Sequence, residues 1–253
     1  MKRVCLLTGA TGRLGIAFCQ RFAGEYHIVG IHRRDVHAVP SRQHETIIDP
    51  LTLRRSDDLR GVGVFFVQAD LTFDTELHRV VELALARYDR IDFLINAATT
   101  FGGKGLVAED SADDLQDVIN LNLLVPLKLS ALVARKFWLR RKAENAAERR
   151  HVLNVSSIAA FSACSEYELR TYSVAKAGLN QLTRHMALEY ATFGVRVNGV
   201  APTSFPRLIS ALSVAETIVQ VDRGKATGSI IVVDERGPRE WRHDGSLSSP
   251  SST

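Results

Sequence analysis

Short apolar runs alternate along the chain with longer segments in which apolar residues recur every three or four positions. The short runs are rich in β-branched residues and predict buried strands, whereas the longer segments predict helices. Apolar strands separated by helices are typical of a parallel sheet covered on both faces. The predicted strands are 3–8, 27–32, 63–68, 92–96, 151–156, 195–200 and 229–233, and the predicted helices are 12–23, 74–88, 111–140, 172–192 and 212–221.

This alternation predicts an α/β fold with a doubly wound parallel sheet in three layers, α/β/α. The length of 253 residues suits a single domain with a sizeable core. We expect residues 1–237 to form that domain and residues 238–253, which are rich in Ser, Gly and Pro, to form a disordered tail. Residues 35–61 predict a long polar connection between the second and third strands.

A glycine-rich loop, Thr8 to Gly15, joins the first predicted strand to the first predicted helix. Glycines allow the backbone to turn sharply and to approach a pyrophosphate, which is favoured at a helix N-terminus. The alternative is an ordinary surface turn. The position between a strand and a helix favours a nucleotide site.

Tyr172 and Lys176 stand four residues apart in a predicted helix, so their side chains share one face. A fixed cation favours the phenolate and lowers the pKa of the phenol, which suits a proton donor or acceptor. The spacing is weak evidence alone, because an amphipathic helix contains it by chance. It gains weight from the glycine loop in the same domain.

Further segments accompany these two motifs in a fixed order: Gln68 to Leu71, Ile95 to Ala98, Asn120 to Asn122, Asn154 to Ser157 and Val195 to Pro202. Together the segments resemble the short-chain dehydrogenase/reductase family from residue 3 to about 237. The resemblance implies a Rossmann fold and a nicotinamide cofactor.

The resemblance also implies catalytic roles. Tyr172 would protonate the substrate oxygen, and Lys176 would lower the pKa of Tyr172 and bind the nicotinamide ribose. Ser157 would hydrogen-bond the substrate carbonyl, and Asn122 would hold a water molecule. Ser157 lies fifteen residues before Tyr172, slightly further than is usual in the family, so Ser156 remains an alternative.

Positively charged residues near the expected ribose site favour NADP(H) over NAD(H). The second strand ends in Ile31-His32-Arg33-Arg34 without a carboxylate, and Arg13 lies in the glycine loop. Arginine recognises phosphate in a bidentate manner, although these arginines are also consistent with a solvated strand end. The implied cofactor-binding residues are Gly9, Gly12, Arg13, Leu14, Gly15, His32, Arg33, Arg34, Asp70, Leu71, Asn96, Ala97, Tyr172, Lys176 and Pro202.

The segment from Pro202 to Val214 is shorter than the substrate lid of most family members, and Thr203 replaces the usual glycine. The sequence favours an NADPH-dependent reductase of a small-molecule carbonyl. Arg13 and the His-Arg pair also resemble pteridine reductases, so reduction of a pterin-like C=N bond is an alternative. A third possibility is an NADP-binding sensor or scaffold with little turnover.

The composition of the chain limits which partners and which cellular compartment are expected. A net charge of +4 is mild, and the basic cluster at 135–150 is more typical of a solvated helix end than of a nucleic-acid site. We expect no membrane span, because no uninterrupted apolar run is long enough. Cys5, Cys19 and Cys164 predict buried free thiols in the cytoplasm, and neither they nor the histidines have metal-site spacing.

Helices 111–140 and 172–192 carry apolar residues on more than one face. A sheet covers only one stripe of a helix, so the remaining apolar surface needs another partner. The family resemblance implies a homodimer or homotetramer through these helices. The alternative is that the segment 135–150 covers them within one chain.

Overall fold

A ten-stranded sheet forms the centre of the computed structural model, in the order β10-β9-β8-β7-β6-β1-β2-β5-β4-β3. The structure describes residues 2–33, 45–48, 55–59, 64–102, 109, 111–163, 169–203, 205–241 and 246–248. The strands are β1 Arg3–Thr8, β2 Tyr26–His32, β3 Glu45–Ile48, β4 Arg55–Leu59, β5 Val64–Gln68, β6 Phe93–Asn96, β7 His151–Val155, β8 Arg196–Pro202, β9 Ile230–Asp234 and β10 Gly237–Glu240.

All seven predicted strands are present, and each pairs in parallel with its neighbours among them. The helices are α1 Arg13–Phe22, α2 Asp74–Tyr88, α3 Ser111–Ile119, α4 Val125–Val133, α5 Lys142–Ala147, α6 Arg170–Ala191 and α7 Ala211–Arg223. Helices α1 and α7 pack on one face of the sheet, and α2, α4 and α6 pack on the other. The predicted three-layer, doubly wound architecture is confirmed.

Alternate residues of β1 show why the central strands are apolar throughout. Val4 and Leu6 belong to the core under α2, α4 and α6. Cys5 and Leu7 belong to the core under α1 and α7. Because successive side chains point to opposite faces, a strand covered on both sides buries every position.

Three strands lie outside the predicted set, and each pairs in antiparallel fashion. Strands β3 and β4 form a hairpin on β5, so the predicted polar connection across 35–61 is wrong at these two stretches. Strand β10 pairs with β9, and Trp241 bridges to Leu247. Residues 238–240 therefore belong to the sheet rather than to the predicted tail. The sequences of β4 and β10 are polar, which is why the apolar pattern does not reveal them.

The predicted helix 111–140 is one helical run, Ser111–Trp138, with π-helical turns at Asn120–Leu124 and Ala134–Trp138. The run is long and apolar enough to cross a membrane, but half of its most apolar window is buried within the fold. Trp138, for example, is fully buried and donates a hydrogen bond to the Ile91 carbonyl at 2.8 Å. Packing against the sheet thus explains the apolar character of its buried side.

The connection from β8 to α7 is short, as predicted. Its described part is a turn at 205–208 that leads directly into α7. Ile209 anchors the turn in the core, and Ser210 caps α7 by accepting a hydrogen bond from the Ser213 amide at 3.0 Å.

Candidate active site

A cavity of about 650 Å³ opens at the carboxyl ends of the strands. It lies where the strand order reverses between β1 and β6, the usual ligand position in doubly wound sheets. Ten of the predicted site residues line it: Gly9, Gly12, Arg13, Leu14, Gly15, Ala97, Ser157, Tyr172, Lys176 and Pro202.

The glycine loop forms a backbone cradle at one end of the cavity. Gly9 has a φ of +72°, a conformation that side-chain-bearing residues rarely adopt. A Cβ atom on Gly15 would lie 2.3 Å from the Gly9 carbonyl oxygen, so only glycine fits there. Helix α1 starts at Arg13 with neither a side-chain cap nor an acidic residue in its first turn. Its free N–H groups and positive dipole end therefore suit a pyrophosphate.

The residues predicted to bind the ribose end of the cofactor differ in where the structure places them. Arg13 lines the cavity and Arg33 is exposed at the end of β2. His32 is buried, with its ring edge-on to Phe66 at 6.0 Å, so it belongs to the sheet packing. Arg34 lies outside the described residues.

Three other predicted cofactor residues, Asp70, Leu71 and Asn96, do not line the cavity. Asp70 holds the turn after β5 by accepting hydrogen bonds from the Thr72 amide and hydroxyl at 3.0 and 2.7 Å, and Leu71 is buried in the core. Asn96 is buried and donates to the Asn154 side-chain oxygen at 2.8 Å. Its side chain therefore joins β6 to β7 instead of facing the cavity.

Tyr172 and Lys176 lie one turn apart on α6, as predicted, and both line the cavity. The Ser157 hydroxyl caps a short 3₁₀ turn by accepting from the Ala159 amide at 3.2 Å, and it lowers the pKa of the Tyr172 phenol. Ser156 also lines the cavity but is only 2% exposed, and its hydroxyl has no partner among the described residues. Of the two serines, Ser157 is therefore the one that acts on the pKa of the tyrosine.

The protonation of this pair differs from the expectation. Burial raises the pKa of Tyr172, and the Ser157 and Thr99 hydroxyls partly offset this rise. Burial lowers the pKa of Lys176 to about 7, and its ammonium nitrogen donates to the Val155 carbonyl at 2.8 Å. Lys176 Nζ lies 5.5 Å from the centre of the Tyr172 ring. The predicted lowering of the tyrosine pKa by Lys176 is therefore not seen, because burial acts on both groups.

Asn122 lies in the first π-helical turn and is fully buried, outside the cavity. Its amide nitrogen donates to the carbonyls of Thr100 and Val118, at 2.9 and 3.0 Å. Its oxygen accepts from the Thr99 hydroxyl at 2.6 Å. Thr99, which lines the cavity, therefore joins Asn122 to it.

Several residues of this cavity were not predicted from the sequence, among them Thr99 and Phe101. Thr99 directly follows the recognised segment Ile95 to Ala98, and the hydroxyl after that segment was the available signal. Phe101 is 56% exposed, and its ring centre lies 4.7 Å from that of Tyr172. No spacing in the sequence indicates that this exposed aromatic ring stands beside the tyrosine.

The cavity thus combines a phosphate cradle with a phenol, a serine hydroxyl and a buried amine. This arrangement can bind a dinucleotide and deliver a proton to an oxygen or nitrogen atom beside it. Among the solved structures of similar fold, two illustrate the likeness, and each is matched over most of its length.

The first is an NADH-dependent reductase complexed with NAD, with a TM-score of 0.74 and 24% identity over 92% of this chain and 95% of that one. The second, ElxO with NADP bound, has a TM-score of 0.72 and 20% identity over 92% of this chain and 98% of the other. At this level of identity the two likenesses establish the fold.

Sequence comparison identifies the family. A glucose and ribitol dehydrogenase homolog from Oryza sativa subsp. japonica is 30% identical over 234 residues, which cover 88% of this chain and 75% of the relative. The family model of short chain dehydrogenases matches residues 3–206. The chain therefore belongs to the short-chain dehydrogenase family of oxidoreductases, which use a nicotinamide cofactor and act on hydroxyl or carbonyl groups of small molecules.

Proposed function

We propose that this protein is an NADPH-dependent reductase that reduces a carbonyl group of a small molecule, with Tyr172 as the proton donor. The observation that carries the proposal is the convergence of the Tyr172 and Ser157 hydroxyls in a cavity that also contains the glycine cradle.

The residues of the cavity fit a nicotinamide dinucleotide. The cradle of Gly9, Gly12 and Gly15 would hold its pyrophosphate. Among the described residues, Lys176 donates one hydrogen bond, to the Val155 carbonyl, so its ammonium group has further protons for the ribose hydroxyls. When bound, the dinucleotide supplies the hydride.

The protein residues supply orientation and a proton. Ser157 donates a hydrogen bond to the substrate oxygen and holds it beside Tyr172. Tyr172 then donates its phenolic proton to that oxygen as negative charge develops there. Burial raises the pKa of Tyr172, which keeps the phenol protonated and ready to donate at neutral pH. Lys176, in its charged form, stabilises the phenolate that remains.

Charge at the expected ribose end supports NADPH. Arg33 is exposed at the end of β2, and Arg13 lies at the cavity. Neither position carries a carboxylate, which would repel a 2′-phosphate. One structural relative holds NAD and the other NADP, so the preference rests on these two arginines. We place the protein in the cytoplasm, a setting that suits the buried free thiols of Cys5 and Cys19.

A pterin-like substrate is a second candidate, because of Phe101. Its exposed ring beside Tyr172 offers a flat apolar surface at the cavity. Flat aromatic ligands stack on such rings at centroid separations of about 4.5–7 Å. In that reaction Tyr172 would protonate a ring nitrogen in place of a carbonyl oxygen.

Oxidation of NADPH in the presence of ketones, quinones and pterins tests the proposal. We expect turnover with at least one carbonyl compound, slower turnover with NADH, and none with the Tyr172→Phe variant. Turnover with pterins alone would favour the second candidate. Tight NADPH binding without turnover on any substrate class would contradict both and favour a sensor or scaffold.

A further inference from the structure

The segment that follows β9 packs against the turn that carries Ser157. Trp241 comes directly after β10, and its backbone amide donates to the Ile230 carbonyl at 2.8 Å. Its indole ring stacks on the Phe161 ring, with the ring centres 4.1 Å apart and the planes inclined by 29°. Phe161 directly follows the 3₁₀ turn Ile158–Ala160, which begins after Ser157. Trp241 therefore contacts the residue at the far end of this turn.

The turn after Ser157 has little hydrogen bonding of its own. The Ala160 amide donates to the Ser157 carbonyl at 3.1 Å. The Phe161 amide donates to the Ile158 carbonyl at 3.0 Å. Because 3₁₀ hydrogen bonds have poorer geometry than those of an α-helix, a single turn of this kind depends on packing to keep its position.

Packing holds the turn at two points. Ala159, in its middle, is buried in one cluster with Tyr172 and Ala175 of α6. At its end, Phe161 and Trp241 pack against a second cluster, which contains buried residues of β8 and β9. The first contact places the turn beside the tyrosine, and the second fixes the end of the turn that the first does not reach.

Ile158 connects the second cluster to the active-site cavity. It lines the cavity next to Ser157, and it packs against the same buried residues as Trp241 does. Loss of the indole ring would leave a gap beside Phe161, and the structure around such a gap relaxes only in part. The turn would then be free to shift, and the Ser157 hydroxyl would shift with it.

We propose that Trp241 is a positioning residue that holds the Ser157 turn in place for the reaction. The inference rests on the proposed role of Ser157, whose hydroxyl has to meet the substrate oxygen at hydrogen-bond distance. A displacement of about 1 Å at such a group is enough to slow a reaction by about a hundredfold. Trp241 is not among the described residues that line the cavity, so it acts through Phe161 and the turn.

Rates of carbonyl reduction by the wild type, Trp241→Ala, Ser157→Ala and the double variant test whether Trp241 acts through Ser157. We expect Trp241→Ala to lower kcat roughly ten- to a hundredfold and to leave the NADPH dissociation constant unchanged. In the Ser157→Ala background the same change should lower kcat little further, because residues that act as one unit are not additive. A general loss of structure would instead lower kcat equally in both backgrounds.

Two single variants serve as controls in the same assay. Trp241→Phe keeps an aromatic ring for the stack and should restore most of the wild-type kcat. Phe73→Ala removes a ring that is 62% exposed at the start of α2, and it should change neither kcat nor NADPH binding.

Amide hydrogen exchange across residues 157–161 tests the same link without a substrate. Loss of the stack in Trp241→Ala should speed exchange there roughly two- to tenfold. Exchange in β1 should stay at the wild-type rate, and so should exchange across 157–161 in Trp241→Phe. If the wild type reduces no carbonyl compound, the proposed function fails, and the exchange rates alone decide whether Trp241 holds the turn.

Three results would overturn the inference. The first is unchanged exchange across 157–161 in Trp241→Ala, and the second is an unchanged kcat in that variant. The third is a loss of kcat that is the same with and without the Ser157 hydroxyl. Should Trp241→Ala fail to fold, Trp241→Leu carries the same predictions, because leucine fills part of the space and cannot stack.

Discussion

Replacing Lys176 by Met is expected to stabilise the fold at neutral pH, although the change removes a residue of the candidate active site. Lys176 is only 2% exposed, and burial lowers its pKa from 10.5 to about 7. Met has a similar unbranched shape and no charge to bury. Natural active sites commonly carry such a stability cost.

The expected gain in unfolding free energy follows from the shift of the Lys176 pKa. The difference between 10.5 and about 7 is 3.5 units, which corresponds to at most about 5 kcal/mol of unfolding free energy. Met also loses the hydrogen bond to the Val155 carbonyl and leaves that oxygen without its partner, at a cost of about 1–3 kcal/mol. We expect a net gain of about 2 kcal/mol near pH 6.5.

The sign of the pH dependence is fixed by which state binds more protons. Between pH 7 and 10.5 the unfolded chain keeps the Lys176 proton and the folded protein releases it. Stability of the wild type therefore rises with pH across this window. The advantage of Lys176→Met is largest below about pH 7 and shrinks as the pH approaches about 10.

Urea unfolding of the wild type and Lys176→Met at about pH 6.5 and about pH 9.5 measures this difference. Lys142→Met, a change at an exposed lysine, is the control and should have little effect at either pH. A Lys176→Met protein that is less stable than the wild type at the lower pH, or a difference that does not vary with pH, would refute the reasoning.

Three further predictions concern the cradle, the cofactor and assembly. Gly15→Ala should abolish cofactor binding and lower the melting temperature, because its Cβ would lie 2.3 Å from the Gly9 carbonyl oxygen; unaltered binding in a calorimetric titration would contradict this. Arg33→Asp should weaken NADPH binding by roughly ten- to a hundredfold, through loss of a charge-assisted bond of about 1.5–3 kcal/mol, and leave NADH binding unchanged or improved; equal wild-type affinities for the two cofactors would refute the preference. Light scattering at micromolar concentration should give a dimer or tetramer that becomes monomeric when Val174 and Leu188, which are 56% and 75% exposed on α6, are both changed to Glu; a wild-type monomer at all concentrations would exclude this assembly.

The sequence was sufficient to predict the central sheet, because strands covered on both faces must be apolar throughout. It also predicted the glycine cradle, since the clash at Gly15 leaves no other residue for that position. Tyr172 and Lys176 share one face of α6 because of the helical period, which is a local property of the sequence.

The remaining features depend on contacts between distant segments. Strands β3 and β4 pair at an antiparallel edge, and the polar sequence of β4 gives no strand signal. Burial, which sets the pKa values of Tyr172 and Lys176, follows from packing and not from their spacing. Thr99 reaches Asn122 across 23 positions of the chain, a contact that no local pattern encodes.

Comparison of Tyr172→Phe with the wild type tests the central claim most directly, with both NADPH affinity and the rate of NADPH-dependent reduction measured on the same preparations. The ring of Phe fills the same space, so we expect the dissociation constant for NADPH to stay within about a factor of three, while the rate falls by at least about a hundredfold through loss of the proton donor. Tyr88→Phe, which alters a tyrosine on α2 away from the cavity, should leave both quantities unchanged. A Tyr172→Phe protein that binds NADPH and retains most of the wild-type rate would contradict the assignment of this cavity as the site of proton donation.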